Sequence, residues 1–136
     1  MPFWTCPRCY RQFGKARQAH LCAPGITVDA YFADRPPEQR AICDAVIAHL
    51  ESLGPLVVDP VDVGILLKRD RTFAELRGRK KWLALSMILP RAEHAPRIAR
   101  RTNVSAGRVA NFVNLAHPDE VDDQVRAWLT ESYFRT

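Results

Sequence analysis

No apolar run in this chain approaches the roughly 20 residues that a membrane helix requires; the longest, Trp82 to Leu89, is far too short. There is no internal repeat and no low-complexity tract, which excludes solenoid and linker-like readings. The opening residues lack a basic n-region, an apolar h-region and a small-residue cleavage site, so the expected location is cytoplasmic. Residues 1–26 hold no acidic side chain at all. Nor is there a spacing of His, Asp, Glu, Ser or Cys that marks a catalytic centre. His49 lies beside the apolar stripe of a helical segment, His117 precedes a proline and His94 falls in a loop, so each reads as structural.

What is present is concentrated at the start. Cys6, Cys9, His20 and Cys22 form a C-x2-C-x10-H-x-C array, the spacing that supplies a tetrahedral zinc ion with four protein ligands. A site with every corner filled leaves no position for water or substrate, so one structural Zn2+ is expected. A redox reading of Cys6-Pro7-Arg8-Cys9 lacks the strand that a thioredoxin-like unit places before it. Phe3 to Cys6 and Cys9 to Phe13 read as short strands around Pro7-Arg8, with Lys15 to His20 as a short helix, a small ββα-like finger. Phe13, with Phe3 and Trp4, would supply a miniature core that cannot fold without its metal. Ala23-Pro24-Gly25 reads as a linker short enough to leave the finger packed on the next domain, so the expected division is 1–26 and 27–136.

Thr27 caps a brief predicted helix to Ala33, and Asp34-Arg35-Pro36-Pro37-Glu38 opens a longer one whose stripe is Ile42, Val46, Leu50 and Leu53. Cys43 on that helix reads as a core thiol. Six short apolar or alternating runs come next: 56–63, 64–69, 73–77, 82–89, 98–104 and 109–115, divided by Pro60, Asp70-Arg71, Gly78, Pro90 and Gly107. They predict a mostly antiparallel meander of five or six strands. His117-Pro118-Asp119-Glu120 then starts a last helix with Val121, Val125, Trp128 and Leu129 inward, and Asp119, Glu120, Asp122 and Asp123 as a capping, solvated turn. Helices before and after the meander give the class α+β, with the helices packed on one face of the sheet.

These residues are similar to a known family. Trp4-Thr5-Cys6-Pro7-Arg8-Cys9, Gln18-Ala19-His20-Leu21-Cys22, Tyr31-Phe32-Ala33-Asp34-Arg35-Pro36-Pro37 and the 119–129 segment resemble the bacterial family filed as domain of unknown function 5655, whose members often carry such a finger ahead of the domain. Tyr10 departs from it, standing where glycine is usual. The resemblance implies a zinc finger joined to a compact domain, and no activity.

Charge is the remaining signal. The net charge is +5, yet residues 68–108 carry twelve basic and three acidic side chains while 27–67 carry two and seven. Such a bipolar surface suits a polyanion. On the finger, Arg8, Arg11, Lys15 and Arg17 are candidates for phosphate contact, with Arg17 and Gln18 able to reach base edges. In the larger domain the candidates are Lys68, Arg69, Arg77, Arg79, Lys80, Lys81, Trp82, Arg100 and Arg101, within a basic group that also includes Arg71, Arg91, Arg97 and Arg108. The 82–89 strand is apolar on both alternating faces and is expected to be covered on both sides, which would gather 77–81 and 97–101 into one basic rim with Trp82 and Phe73 as stacking residues. The expected function is therefore a zinc-stabilised, non-enzymatic protein contacting DNA or RNA. The alternative is a protein-interaction or small-ligand module whose charge only blunts strand edges. A metal-dependent nuclease or other hydrolase would need Asp59, Asp62, Asp70, Glu75 and Lys68 to converge.

Overall fold

A computed structural model describes residues 3–20, 22 and 26–135. The Ala23-Pro24-Gly25 linker lies outside the described residues. Two strands, β1 (Trp4–Thr5) and β2 (Gln12–Phe13), pair antiparallel with Trp4 opposite Phe13. Between them the Cys6 N–H donates to the Arg11 carbonyl at 2.9 Å and the Tyr10 N–H to the Cys6 carbonyl at 2.8 Å. Cys9 thus sits on a tight turn and not in a strand. The turn closes through a left-handed residue, Tyr10 at φ 59°, which explains why glycine suits this position. The expected helix over Lys15 to His20 does not form. Residues 14–17 are bends and turns, and Arg17 is itself left-handed at φ 58°, a conformation that interrupts a right-handed helix.

The rest is α+β. Helix α1 (Val28–Phe32) is capped by the Thr27 hydroxyl, which accepts from the Ala30 N–H. Helix α2 (Pro37–Glu51) starts on proline, where the missing N–H costs nothing, and buries Ile42, Cys43, Val46 and Leu50. A six-stranded antiparallel sheet comes next, made of β3 (Val57–Val61), β4 (Gly64–Lys68), β5 (Thr72–Gly78), β6 (Leu83–Leu89), β7 (Ile98–Ser105) and β8 (Arg108–Leu115). Pro60 lies inside β3 instead of dividing strands, because β3 is an edge and its missing donor leaves no gap in the ladder. Helix α3 (Asp123–Phe134) closes the chain after a 3-10 turn at Pro118–Glu120, so the last helix begins later than its sequence signals suggest. Asp122 caps it by accepting from the Val125 N–H.

The sheet order is β3-β4-β5-β6-β8-β7, which is not a meander. β8 returns between β6 and β7, so residues 90–97 cross over β8. That crossing is pinned by the buried Asn111 side chain, which accepts from the Glu93 N–H at 2.8 Å and donates to the Arg91 carbonyl at 3.0 Å. The three helices supply one apolar layer. Leu83, Leu85, Met87 and Leu89 of β6 turn toward them and are fully buried.

The alternate side chains of β6, Ala84, Ser86 and Ile88, are only half-buried, which corrects the expectation of a strand covered on both sides. Ala84 and Ser86 present little apolar area, so leaving them uncovered costs little. The second face of the sheet is therefore open.

Candidate functional site

Four ligand atoms converge at the finger. The metal-binding atoms of Cys6, Cys9, His20 and Cys22 all lie within 4.8 Å of one another. Cys6 Sγ is 3.7 Å from Cys22 Sγ, and His20 Nε2 lies 3.5 Å from Cys9 Sγ and 3.3 Å from Cys22 Sγ. A tetrahedral zinc with its usual bond lengths sets edges of about 3.8 Å between sulfurs and about 3.6 Å between sulfur and nitrogen, so the residues fit a four-coordinate metal ion. His20 is oriented by its other nitrogen, Nδ1, which lies 2.6 Å from the Gln18 carbonyl and donates to it when Nε2 faces a metal. The thiol of Cys6 is drawn down to about 6, first by the backbone N–H of Cys9. That of Cys22 is raised by burial and by its neighbouring thiols. Behind the ligands, Phe13 stacks on His20 with ring centroids 4.1 Å apart and Trp4 packs 5.9 Å from Phe13.

The finger is docked on the β3–β4 edge. Asp59 of β3, 4% exposed, accepts from Arg11 of the finger at 2.8–3.1 Å and from Lys68 of β4 at 2.6 Å. The Lys68 ammonium also lies 3.9 Å from the Phe13 ring centroid. Gly14 presses its backbone onto the next turn, where a Cβ would stand 1.9 Å from the Arg69 carbonyl oxygen. Arg11 and Lys68 are therefore bound up inside this junction. Arg69 is engaged as well: it donates to the Tyr133 carbonyl at 3.0 Å and stacks over the Tyr133 ring. Phe73, expected as a stacking residue, is fully buried and packs edge-on to Tyr133. A register shift between Leu67 and Lys68 explains its turn inward.

The open sheet face gathers a different set. Register places Glu75, Ser86, Phe112 and Arg100 in one row across β5, β6, β8 and β7, with Arg77, Ala84 and Asn114 in the next. All of these but Asn114 line a trough of about 370 Å3 to which Arg79 and Arg108 also contribute. A neighbouring hollow joins Arg79, Lys80, Lys81 and Trp82 to Arg100 and Phe112. Arg100 stacks over Phe112 with 4.2 Å between the guanidinium carbon and the ring centroid.

The tip that carries Lys80 and Lys81 is held from behind. Buried Gln39 of α2 donates to the carbonyls of Arg79 and Trp82 at 2.7 and 3.2 Å, and the Tyr31 hydroxyl accepts from the Gly78 N–H at 2.8 Å. Among the described residues, Arg79, Lys80, Lys81, Arg100 and Arg108 have no carboxylate partner, whereas Arg77 pairs with Glu75. Burial lowers the Arg108 pKa, and the positive charge of Arg71 adds to that.

The expected rim is thus split. Arg100 joins 77–82, but Arg97 turns to Asp122 at 2.8 Å, Arg91 to Glu131 at 2.8 Å, and Arg101 bonds the Glu93 carbonyl. Arg17 sits exposed on the finger and does not line the trough. Phe112 was missed from the sequence. Its period-two placement with Ala110 and Asn114 was available, but only the β6-β8-β7 order brings it beside Ser86 and Arg100.

The acidic residues required by a hydrolase reading do not converge. Asp59 and Lys68 face the finger while Glu75 pairs with Arg77 on the open face. Among the described residues the Cys/His cluster is the single group of metal-ligating type. No described helix is long and apolar enough to cross a membrane.

A family model, Domain of unknown function (DUF5655), matches residues 28–135. No curated protein and no solved structure matches the chain.

Proposed function

The chain belongs to the DUF5655 family, whose description carries no activity, and we propose that it is a binding protein that engages nucleic acid through the open basic face of its sheet. The observation that carries this reading is the segregation of charge. Arg91, Arg97 and Arg126 are neutralised by carboxylates beside α3, while Arg79, Lys80, Lys81, Arg100 and Arg108 have none among the described residues around an uncovered, partly apolar surface. Cations without carboxylate partners are the groups that can neutralise phosphates and displace the counter-ions condensed on them, and that release supplies affinity.

In this reading Cys6, Cys9, His20 and Cys22 hold one zinc ion, which organises residues 1–26 and has no open coordination position for chemistry. Residues 27–136 form the binding unit, a division supported by a family match that begins at 28. Lys68 and Arg69 serve the junction with the finger and α3, and Arg77, Arg79, Lys80, Lys81, Trp82 and Arg100 remain as contacts. A small anionic ligand is the second reading, favoured by the volume of the trough, about 370 Å3, which falls in the range of ligand pockets.

The test is fluorescence anisotropy of the zinc-loaded protein with labelled single-stranded DNA, duplex DNA and RNA between about 50 and about 200 mM salt. Affinity is expected to fall steeply with salt. Combined Arg79→Gln, Lys80→Gln and Lys81→Gln should weaken binding and flatten the slope by about three phosphate contacts. Absence of binding to any nucleic acid at the lowest salt removes the reading.

A further inference from the structure

We infer that the trough on the open face accepts single-stranded nucleic acid, with an unpaired base stacked on the Arg100–Phe112 pair and the phosphates on the basic walls. The inference rests on the nucleic-acid reading above and narrows it to a strand state. Three features of the face select the occupant.

The first is its floor. Ala84 and Ser86 of β6 and Ala110 of β8 are small, so the sheet is hollowed on either side of Phe112, the aromatic ring that rises from this row. A hollow with an aromatic ring is matched by a planar, weakly polar body. The second is the pair itself. Arg100 already lies over Phe112, with its guanidinium carbon 4.2 Å from the ring centroid. Guanidinium planes and aromatic rings are the two platforms on which splayed-out bases stack. Trp82, 39% exposed, adds a further ring in the adjoining hollow.

The third is the placing of the charge. Arg77 and Arg79 stand on the β5 side and Arg100 and Arg108 on the β7–β8 side. β5 and β7 are three strand spacings apart in the sheet order, about 14 Å. Arg79 and Arg108 thus flank the row, Arg100 lies over its ring, and Arg77 neutralises Glu75 within it. A ligand that matches this layout is uncharged in the middle and anionic on both sides, as a base with its flanking phosphates is. A duplex hides its base faces inside its own stack, so it would meet the walls and leave the floor unused. An acidic protein surface would likewise use the walls alone.

The experiment compares labelled oligo-dT and oligo-U of about 12 nucleotides with a hairpin duplex of the same length, and adds polyglutamate as competitor. It uses the zinc-loaded full chain and the variants Phe112→Ala, Phe112→Tyr and Ser86→Leu. The expected result is tighter binding of single strands than of the duplex. Phe112→Ala should lose about tenfold in single-strand affinity with an unchanged salt slope, because it removes stacking and no phosphate contact. Phe112→Tyr should retain binding. Ser86→Leu fills the hollow from an exposed face, so it should lose single-strand affinity without the folding penalty that Phe112→Ala carries, which melting curves will check.

Oligo-dT against oligo-U separates DNA from RNA. Equal binding of duplex and single strand, full competition by polyglutamate, or wild-type affinity in both Phe112→Ala and Ser86→Leu overturns the inference. In those cases a salt slope that still depends on Arg79, Lys80 and Lys81 leaves the broader reading standing, whereas absence of all binding removes both.

Discussion

Asp59 accepts from two cations at once in a largely buried junction, and the chemistry of that one carboxylate bears on how finger and sheet hold together. Removing one member of a buried ion pair strands the other, which typically costs about 3–5 kcal/mol. Asp59→Ala should reach that range, since it leaves the buried Lys68 ammonium without its carboxylate. Arg11→Ala should cost less because Lys68 and Asp59 still neutralise one another. Urea denaturation of the two variants checks the order, and equal losses would contradict it. At this scale the ligand cysteines and the histidine were legible, because metal chemistry demands those residue types at that spacing. Lys68, Arg69 and Phe73 were not. A basic or aromatic side chain in a strand carries no mark of which way it points until its neighbours are placed.

At the scale of elements, α2 and α3 meet through His49, whose Nε2 lies 2.8 Å from the Thr130 hydroxyl. Burial pushes the His49 pKa below its ordinary value of 6.5. Between the folded value and about 6.5 the unfolded chain binds the proton more readily, so stability rises with pH across that window. The contribution is complete above about 6.5 and disappears as pH falls through the folded value. Thermal unfolding between pH 7.5 and 5.5 should therefore show a falling midpoint, as an order-of-magnitude window of about one unit on either side of the histidine range, and His49→Gln should flatten that fall. An unchanged slope in the variant would assign the pH dependence elsewhere. All six strands and the three helices of the larger domain were readable from periodicity and turn residues. The finger helix expected from sequence did not form: Arg17 is left-handed, and the backbone of Gly14 lies against Arg69, a docking contact that local propensity does not encode.

In the whole molecule the buried apolar cluster runs from Tyr31 to Tyr133 without any residue of the finger. Removing the metal should therefore unfold the finger and leave the sheet standing. With a chelator present, the thiols of Cys6, Cys9 and Cys22 should react rapidly. Cys43 should stay protected, since it is fully buried and its pKa is raised to about 12 by burial. Thiol titration alongside the Trp4 fluorescence checks this. Four fast thiols, or an unchanged Trp4 signal, would show that finger and sheet do not separate in this way.

The array of three cysteines and a histidine, the order of helices and strands, and the excess of positive charge over 68–108 all came from residue types and spacing, because each depends on local chemistry or on a short period. The open face did not. Which strands become neighbours is decided by long-range pairing, and the placement of β8 between β6 and β7 sets Phe112 beside Arg100 and Ser86. The same packing pairs Arg91 and Arg97 with carboxylates near α3 and, among the described residues, leaves Arg79, Lys80 and Lys81 without them. Charge is a property of residues, but its availability depends on which carboxylates the folded chain brings within reach.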